Sequence, residues 1–368
     1  KYEKADLKAL VHSLSDLSKD QQKKLYSLLK QHESMFDGTL GTWKGDPYSI
    51  HLKEGVTPFH GKPYKIPQIH EQKLKVEVER LCKIGVLKKV NRSQWAAPCF
   101  VIPKKDGTIR FLTDLRELNK RIKRYPFSIP NIQDLLLKLE GFQWATALDL
   151  NMGYYHIELC PFSKELCTIA LHWGKYEYQR LPMGLCDSPD IFQEQMNNLF
   201  RDLDFVREYI DDLLVTTTGS FDDHLTKLDQ VLTRLRKAGL KCNAIKSSFC
   251  RSEVEYLGYL ITRNGIKAQP KKVSAIHNMA APKTRKQLRS FLGLVNYYRD
   301  LTLRRSEIIA PLTKLTSKNV PFKWTKTEQE VFDKIKMAVS KETILNYPDF
   351  SQEFEIYTDA SQTQLGQS

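Results

Sequence analysis

The sequence predicts an α+β chain of more than one domain, and three observations predict it. Short runs of β-branched and aromatic residues meet at tight turns, as at Asp106-Gly107 and Asp211-Asp212, which is the pattern of antiparallel hairpins. Other segments carry apolar residues at helical spacing. The cleanest, residues 224–238, lines up Leu225, Leu228, Val231, Leu232 and Leu235 on one face and stops at Gly239. A length of 368 residues, 41% of them hydrophobic, exceeds one ordinary domain and suggests two to four, with real cores.

The formal net charge is +14 and the pI is about 9.3. A globular chain this basic is either merely a soluble basic protein or meets a polyanion. Nucleic acid fits better than a membrane, because no segment approaches the roughly 18 to 20 apolar residues a span requires. Seven cysteines, Cys82, Cys99, Cys160, Cys167, Cys186, Cys242 and Cys250, lie at irregular spacing with no Cys-x-x-Cys pair. That fits reduced thiols in an intracellular compartment rather than disulfides or zinc ligands. The start, Lys1-Tyr2-Glu3-Lys4, lacks both an initiator Met and the apolar stretch of a signal peptide, so the chain reads as a piece of something larger.

Residues 14–36 read as one helix, capped by Ser15 or Ser18, with Leu25, Leu28, Leu29 and Phe36 at helical spacing before Gly38 and Gly41. Pro47, Pro58, Pro63 and Pro67 make 46–68 extended and loop-rich. A helix over 71–84 ends at Gly85. Strands follow at 99–103 and 109–112, joined by Lys104-Lys105-Asp106-Gly107, and the returning strand carries Arg110. Turn chemistry explains Asp-Gly but not three cations around one hairpin. Either the hairpin is basic and solvated, or its long cations close over a triphosphate, Arg with a planar fork and Lys as a point charge. The run 114–119 leads into Lys120, Arg121, Lys123 and Arg124, a solvated charge run or a set of phosphate contacts. Residues 132–139 form a short apolar helix closed by Gly141.

Residues 144–150 read as a strand bearing Asp149 near its end, five residues before Tyr154. A carboxylate there is either a cap or a metal ligand at a sheet edge. Residues 162–169 and 176–181 alternate like a hairpin turning at Gly174. Ser188-Pro189 opens a helix to about Phe200, as N-cap and first helical residue. Tyr209-Ile210-Asp211-Asp212 then forms a hairpin with Leu213-Leu214-Val215. Two like charges held at that turn repel and lose solvation unless a cation sits between them, and a divalent ion is the usual answer. Strands are read at 247–249 and 255–261. After Arg263 acids almost vanish, and basic helices over 270–279, 284–300 and 306–316, cored by Phe291, Leu292, Leu294, Val295, Tyr297 and Tyr298, make a lobe that can lie along a duplex. A helix over 328–339 and a strand over 354–359 finish the chain. Three carboxylates at two strand ends, Asp149, Asp211 and Asp212, suit two Mg²⁺ ions roughly 3.5 to 4 Å apart, as phosphoryl transfer to a 3′-hydroxyl requires.

Taken together, Trp95-Ala96-Ala97-Pro98, Lys104-Lys105-Asp106-Gly107, Asp114-Leu115-Arg116-Glu117-Leu118-Asn119, Leu148-Asp149-Leu150, Leu181-Pro182-Met183-Gly184-Leu185, Tyr209-Ile210-Asp211-Asp212, Tyr256-Leu257-Gly258 and residues 291–299 carry a resemblance. The chain resembles the reverse transcriptases of gypsy-type long-terminal-repeat retrotransposons, with retroviral and pararetroviral enzymes as cousins. The resemblance covers about residues 36–366. It implies an α+β right-hand polymerase with a ferredoxin-like antiparallel palm sheet and a truncated RNase H-like start at the C-terminal end. The implied divisions are an N-terminal helical extension (1–46), fingers (47–124 and 157–187), palm (125–156 and 188–258), thumb (259–318), and connection with the RNase H beginning (319–368).

The same resemblance implies an RNA-directed and DNA-directed DNA polymerase that extends a primer 3′-hydroxyl with dNTPs and copies retroelement RNA into DNA. Two Mg²⁺, with Mn²⁺ as a substitute, would be held by Asp149 and Asp211, and Asp212 would serve as a weaker ligand or as electrostatic support. Lys104, Lys105 and Arg110 would hold the triphosphate, with Met183 beside the nucleotide. Tyr154 would lie beneath the sugar and collide with a 2′-hydroxyl. Arg116 and Tyr209 would touch template or primer, Tyr256, Leu257 and Gly258 would grip the primer end, and Lys283, Arg285 and Arg289 would follow the duplex. The implied partners are an RNA template with a DNA or RNA primer, RNA/DNA hybrid, DNA duplex and dNTPs, with no membrane. The implied setting is intracellular, in a cytoplasmic virus-like particle and the nucleus.

Some residues depart from the family pattern. Met183 stands where gypsy relatives usually carry Phe and retroviruses Gln, so its side chain offers the nucleotide no polar contact. Tyr155-His156 replaces the usual His-Gln after the gate tyrosine, which leaves the gate intact. Asp114 to Glu117 looks more retroviral than gypsy-like. Asp359 resembles the first metal-binding carboxylate of an RNase H domain whose other acids are absent, so no RNase H activity is expected. A non-catalytic nucleic-acid-binding descendant would have lost an aspartate, and none is lost. A polymerase of the same fold preferring DNA templates is the other reading.

Overall fold

The computed structural model describes residues 3–104, 106–139, 141–299, 305–340, 344–347, 358–360 and 365–367. Its first helix, α1 (Leu7–His12), is capped by Asp6, whose carboxylate accepts the Ala9 N–H. In α2 (Lys19–Gln31) Ser18 and Gln21 satisfy each other's backbone N–H groups in a capping box, and a 3-10 turn, Glu33–Phe36, follows. The single helix expected over 14–36 is therefore broken: Ser18 takes extended backbone and starts the helix anew.

Next come α3 (Gln68–Lys83), β1 (Leu87–Val90), β2 (Ala97–Pro103), β3 (Ile109–Thr113), α4 (Arg116–Arg121), α5 (Ile132–Leu137) and β4 (Trp144–Asp149). A 3-10 turn, Gly153–His156, leads to α6 (Pro161–Leu166), β5 (Thr168–Leu171) and β6 (Gly174–Tyr178). Strand was expected from 162, but Pro161 at the first helical position starts a helix that turns Ser163 and Leu166 inward. Then follow α7 (Ser188–Phe200), β7 (Val206–Tyr209), β8 (Asp212–Thr217), α8 (Phe221–Lys237), β9 (Ser248–Arg251), β10 (Glu253–Tyr256), β11 (Tyr259–Thr262) and β12 (Gly265–Ala268). The strand expected over 255–261 is two strands, because Leu257 and Gly258 both take positive φ, 46° and 78°. The chain continues through α9 (Pro270–His277), α10 (Arg285–Tyr297), α11 (Arg305–Lys314), α12 (Lys326–Ser340), β13 (Thr358–Ala360) and β14 (Leu365–Gln367). Most of the strand expected over 354–359 lies outside the described residues.

Two compact units result: Lys1–Pro130 with Phe142–Leu257, and Asn131–Gly141 with Gly258–Ser368. In the first, a sheet of order β7-β8-β4-β9 carries the acidic hairpin. Its central pair runs antiparallel from Trp144 opposite Thr217 to Asp149 opposite Asp212. Leu213, Leu214 and Val215 are fully buried in it, and α7 and α8 pack on it through Phe192, Met196 and Phe200 and through Leu228, Val231, Leu232 and Leu235. A buried imidazole pins α8 to the sheet: His224 bonds Thr146 Oγ1 at 2.8 Å and Thr217 Oγ1 at 2.9 Å, and burial pushes it down to about 4. A second sheet has order β1-β6-β5-β2-β3, antiparallel except for the β2–β5 pair.

In the second unit β11 and β12 pair antiparallel, and helices α9, α10, α11 and α12 share a core that includes Ile276, Leu288, Phe291, Val295, Leu312, Phe332 and Ile335. The Phe291 and Phe332 rings lie 4.6 Å apart. The seven cysteines are free thiols. Among the described residues no helix is long and apolar enough to cross a membrane.

Candidate active site

The acidic hairpin closes where Tyr209 faces Asp212, leaving Ile210 and Asp211 as the turn. Ile210 has φ 54°, a left-handed conformation that a β-branched residue rarely adopts and that costs about 1–3 kcal/mol. Two outside groups hold it there. Gln193, 1% exposed on α7, accepts the Ile210 N–H at 2.7 Å through Oε1, and the Leu150 N–H donates to the Asp211 carbonyl at 3.1 Å. Asp149 is fixed from the opposite side. Its N–H donates to Ser247 Oγ at 3.1 Å and its carbonyl accepts the Asn243 N–H at 2.8 Å.

Burial weakens the acidity of all three carboxyls, and neighbouring carboxylate charge adds to it at Asp149 and Asp212. Burial raises Asp211; burial and then the Asp211 charge raise Asp149; burial, Asp211 and Asp149 together push Asp212 up to about 6. Lys246 works against this, with Nζ 3.6 Å from Asp149 Oδ1. Half-buried, oxygen-rich and short of positive charge, the donor set fits a hard divalent cation. Among the described residues no three His, Cys, Asp or Glu side chains form a ready-made cage, so an ion would have to draw the carboxylates together.

Tyr154 stands beside them. Met152 and Gly153 both take positive φ, 63° and 33°, and a Cβ on Gly153 would lie 3.3 Å from Asp211 Oδ2. The Tyr154 ring is half-buried, edge-on to Phe192 at 5.6 Å, and burial, with the Asp211 charge, pushes its hydroxyl up to about 12. Asp149, Asp211, Asp212 and Tyr154 are thus brought together.

The other expected site residues are placed variously. Tyr209 is half-buried in β7. Tyr256 is buried, and its hydroxyl donates to the Arg207 and Asp212 carbonyls at 3.3 and 3.4 Å, behind the acidic hairpin. Leu257, half-buried, ends the first unit. Met183 is 49% exposed on a turn held by Asn119, which donates to the Gly184 carbonyl and accepts the Cys186 N–H, both at 2.9 Å. Lys104 and Arg110 are exposed on the β2–β3 hairpin, and Lys105 lies outside the described residues. Arg116 is exposed, its fork fixed on Asp114 at 2.7 and 2.8 Å while the Tyr64 hydroxyl donates to the same carboxylate at 2.8 Å. The Arg116 hydrogen bonds hold the Asp114 carboxyl far below the usual range.

In the second unit the Gly258 carbonyl accepts the Tyr298 hydroxyl at 2.7 Å, and Lys283 is exposed. Arg289 donates to the Thr316 carbonyl at 2.6 Å and half-buried Arg285 to that of Val320, so both guanidinium groups also tie their own unit together. Asp359 pairs with Gly366 in the β13–β14 ladder. Sequence reasoning missed Gln193, Asn119, Lys246, Ser247 and Asn243. A signal existed for two of them: Asn119 closes the Asp114–Asn119 motif, and Gln193 is an amide beside the inward-facing Phe192, Met196 and Phe200 of α7.

Residues 102–261 match the family described as Reverse transcriptase (RNA-dependent DNA polymerase), and residues 324–368 match the RNase H-like domain found in reverse transcriptase. The retrovirus-related Pol polyprotein from transposon 297 of Drosophila melanogaster is 35% identical over 84% of this chain and 30% of its own length. That from transposon gypsy of the same fly is 32% identical over 79% of this chain and 30% of its own. The Tf2-3 transposon polyprotein of Schizosaccharomyces pombe is 30% identical over 88% and 24%. The chain therefore spans about a third or less of the length of these curated relatives. Among solved structures, a foamy viral protease-reverse transcriptase in complex with double-stranded DNA superposes with a TM-score of 0.90 at 26% identity, covering 97% of this chain and 63% of the other. The foamy viral enzyme in complex with RNA/DNA hybrid gives 0.89 at 26% identity, covering 97% and 49%. An acidic hairpin paired to a third aspartate, a fold shared almost end to end with a retroviral enzyme, and 30–35% identity to gypsy-type and Tf2 retrotransposon polyproteins place the chain in the reverse transcriptase family on its gypsy-type branch.

Proposed function

We propose that the chain is an RNA-directed and DNA-directed DNA polymerase that extends a primer 3′-hydroxyl with dNTPs and copies retroelement RNA into DNA. The observation that carries this is the cross-strand pair Asp149 and Asp212 with Asp211 at the adjoining turn, three half-buried carboxyls whose ionisation is disfavoured until a cation arrives. Asp149 and Asp211 would hold two Mg²⁺, or Mn²⁺ in substitution, with Asp212 as weaker ligand or electrostatic support. When bound, such ions supply Lewis acidity for the attacking hydroxyl and charge for the leaving pyrophosphate.

The chain's own residues position the reactants. Tyr154 lies under the incoming sugar and excludes a 2′-hydroxyl. Lys104, Lys105 and Arg110 approach the triphosphate from the β2–β3 hairpin, and Met183 borders the nucleotide without a polar contact. Arg116 and Tyr209 meet template or primer, Tyr256, Leu257 and Gly258 the primer end, and Lys283, Arg285 and Arg289 the duplex phosphates. In this reading 47–124 and 157–187 are fingers, 125–156 and 188–258 palm, 259–318 thumb, and 319–368 the connection and the beginning of the RNase H-like domain. The foamy viral relatives bound to DNA duplex and RNA/DNA hybrid support those partners. A virus-like particle in the cytoplasm, and the nucleus, are the settings that fit a retroelement enzyme.

Primer extension on RNA and on DNA templates, with Mg²⁺ and then with chelator, tests the reading. Extension on both templates that stops with chelator is expected; no extension on either overturns it. Asp211→Asn should abolish extension, and activity within about tenfold of wild type would remove the ligand assignment.

A further inference from the structure

The turn that carries Tyr154 is held by a buried imidazole from its own end. His156 is 0% exposed, and both ring nitrogens are engaged: Nδ1 lies 2.8 Å from the Gly153 carbonyl oxygen, and Nε2 lies 3.1 Å from the Lys241 backbone nitrogen. A backbone N–H only donates, so Nε2 is the bare acceptor and Nδ1 carries the proton, which it gives to Gly153. The ring is therefore one neutral tautomer with a fixed polarity.

The far side of the ring is boxed in by a segment from the beginning of the chain. The Trp43 N–H donates to the His156 carbonyl at 2.8 Å, while the Thr42 and Lys44 N–H groups each donate at 3.0 Å to Gly239 and Ala238. Gly41 approaches so closely that a Cβ there would lie 2.8 Å from His156 Cδ2. The other end of the turn is tied to the same segment. Asn151, 1% exposed, donates its backbone N–H to the Lys241 carbonyl at 2.8 Å and its Nδ2 to the Thr39 carbonyl at 2.9 Å. Lys241 Nζ closes the ring of contacts on Asp37 Oδ2 at 2.7 Å and on the Thr39 hydroxyl. A stretch 112 residues away in the chain thus grips both ends of the 151–156 turn.

We propose that His156 is a positioning residue for sugar selection. Its Nδ1–H fixes the Gly153 carbonyl, and with it the left-handed Met152-Gly153 pair that aims Tyr154, while residues 37–44 hold the ring in place as a brace. This rests on the polymerase reading and on Tyr154 lying beneath the sugar.

Two substitutions separate aiming from filling. His156→Asn offers an amide N–H near the place of Nδ1 and keeps a donor for Gly153; His156→Gln offers its amide near the place of Nε2 and loses that donor. Single-nucleotide incorporation gives kcat/KM for dNTP and rNTP, and thermal melting is followed alongside. His156→Gln should lower the deoxy-over-ribo preference by roughly fivefold or more, and His156→Asn should hold it within about twofold of wild type. Lys241→Met, which releases the brace from a part-exposed position, should shift the preference the same way as His156→Gln. Falling melting points with an unchanged preference in all three would overturn the brace. If His156→Gln fails to fold, Lys241→Met decides alone, and an unchanged preference there has the same meaning. A wild-type chain that extends no primer refutes the polymerase reading, and the brace with it. Wild-type extension with unaltered sugar preference in the variants refutes the brace alone.

Discussion

The Ile210 amide donates to the buried Oε1 of Gln193 at 2.7 Å, while Gln193 Nε2 reaches the Glu208 carbonyl at 3.3 Å. One side chain from α7 thus spans the turn of the acidic hairpin and opposes the strain of its left-handed residue. Gln193→Leu should leave the Ile210 N–H unpaired, at a cost of about 1–3 kcal/mol, and let the turn relax. Primer extension should lose roughly tenfold or more in kcat, with KM for dNTP changed less. Unaltered kcat would mean that the sheet alone fixes the turn.

Asp212 is pushed up to about 6, above the roughly 3.9 of an unfolded aspartate. The folded protein therefore binds the extra proton, and ionising Asp212 opposes folding. In the ion-free protein, stability at this site is fully present below the unfolded value of about 3.9 and is lost as pH rises from there through about 6. Asp212→Asn removes the charge, so in chelator near neutral pH the variant should be more stable by about 1–2 kcal/mol, after allowance for solvent screening. Thermal melting in chelator checks this, and a lower melting point than wild type would contradict it.

Tyr154 is held edge-on to Phe192, and the Asp211 charge acts on its hydroxyl. If it lies beneath the sugar as proposed, shortening it to Val would open that space. Tyr154→Val should raise ribonucleotide incorporation relative to deoxynucleotide by about tenfold or more. Competition between dNTP and rNTP on one primer-template measures it, and an unchanged ratio would take the gate away from Tyr154.

Gly239 ends α8 with φ 81°, and a Cβ there would lie 1.9 Å from the Thr42 carbonyl oxygen. Gly239→Ala meets both a disfavoured backbone conformation and a backbone clash, so a loss of roughly 2 kcal/mol or more is expected in denaturant unfolding. A neutral substitution would show that residues 41–44 can lift from α8 at little cost.

Local signals were readable where the chain makes its structure from neighbours. Asp106-Gly107 and Asp211-Asp212 each mark a hairpin, Gly239 ends the amphipathic run of α8, and Ser188-Pro189 opens α7. Errors fell where local pattern was ambiguous. Phe162 to Ile169 alternates like a strand but opens as a helix at Pro161, and Leu257-Gly258 breaks what reads as one strand. The aspartates and Tyr154 were found because each ends an apolar run or falls in a recognisable motif. Their supports were not, because Gln193 meets Ile210 17 residues on and Ser247 meets Asp149 across 98 residues. Contacts of that kind depend on the tertiary fold and leave no periodicity in the sequence.

The Asp149–Asp212 pair also bears on how this protein tolerates change. Its sheet is knit by a full ladder of backbone hydrogen bonds from Trp144 to Asp149, yet the last rung carries two carboxyls that push each other apart. A mutational screen for heat resistance alone, run without divalent ions, would favour amides at that rung and enrich for hardier proteins that, on the polymerase reading, would no longer extend a primer. Screening with the ions present would reverse the selection, since a cation held at the site would stabilise the carboxylates and not the amides.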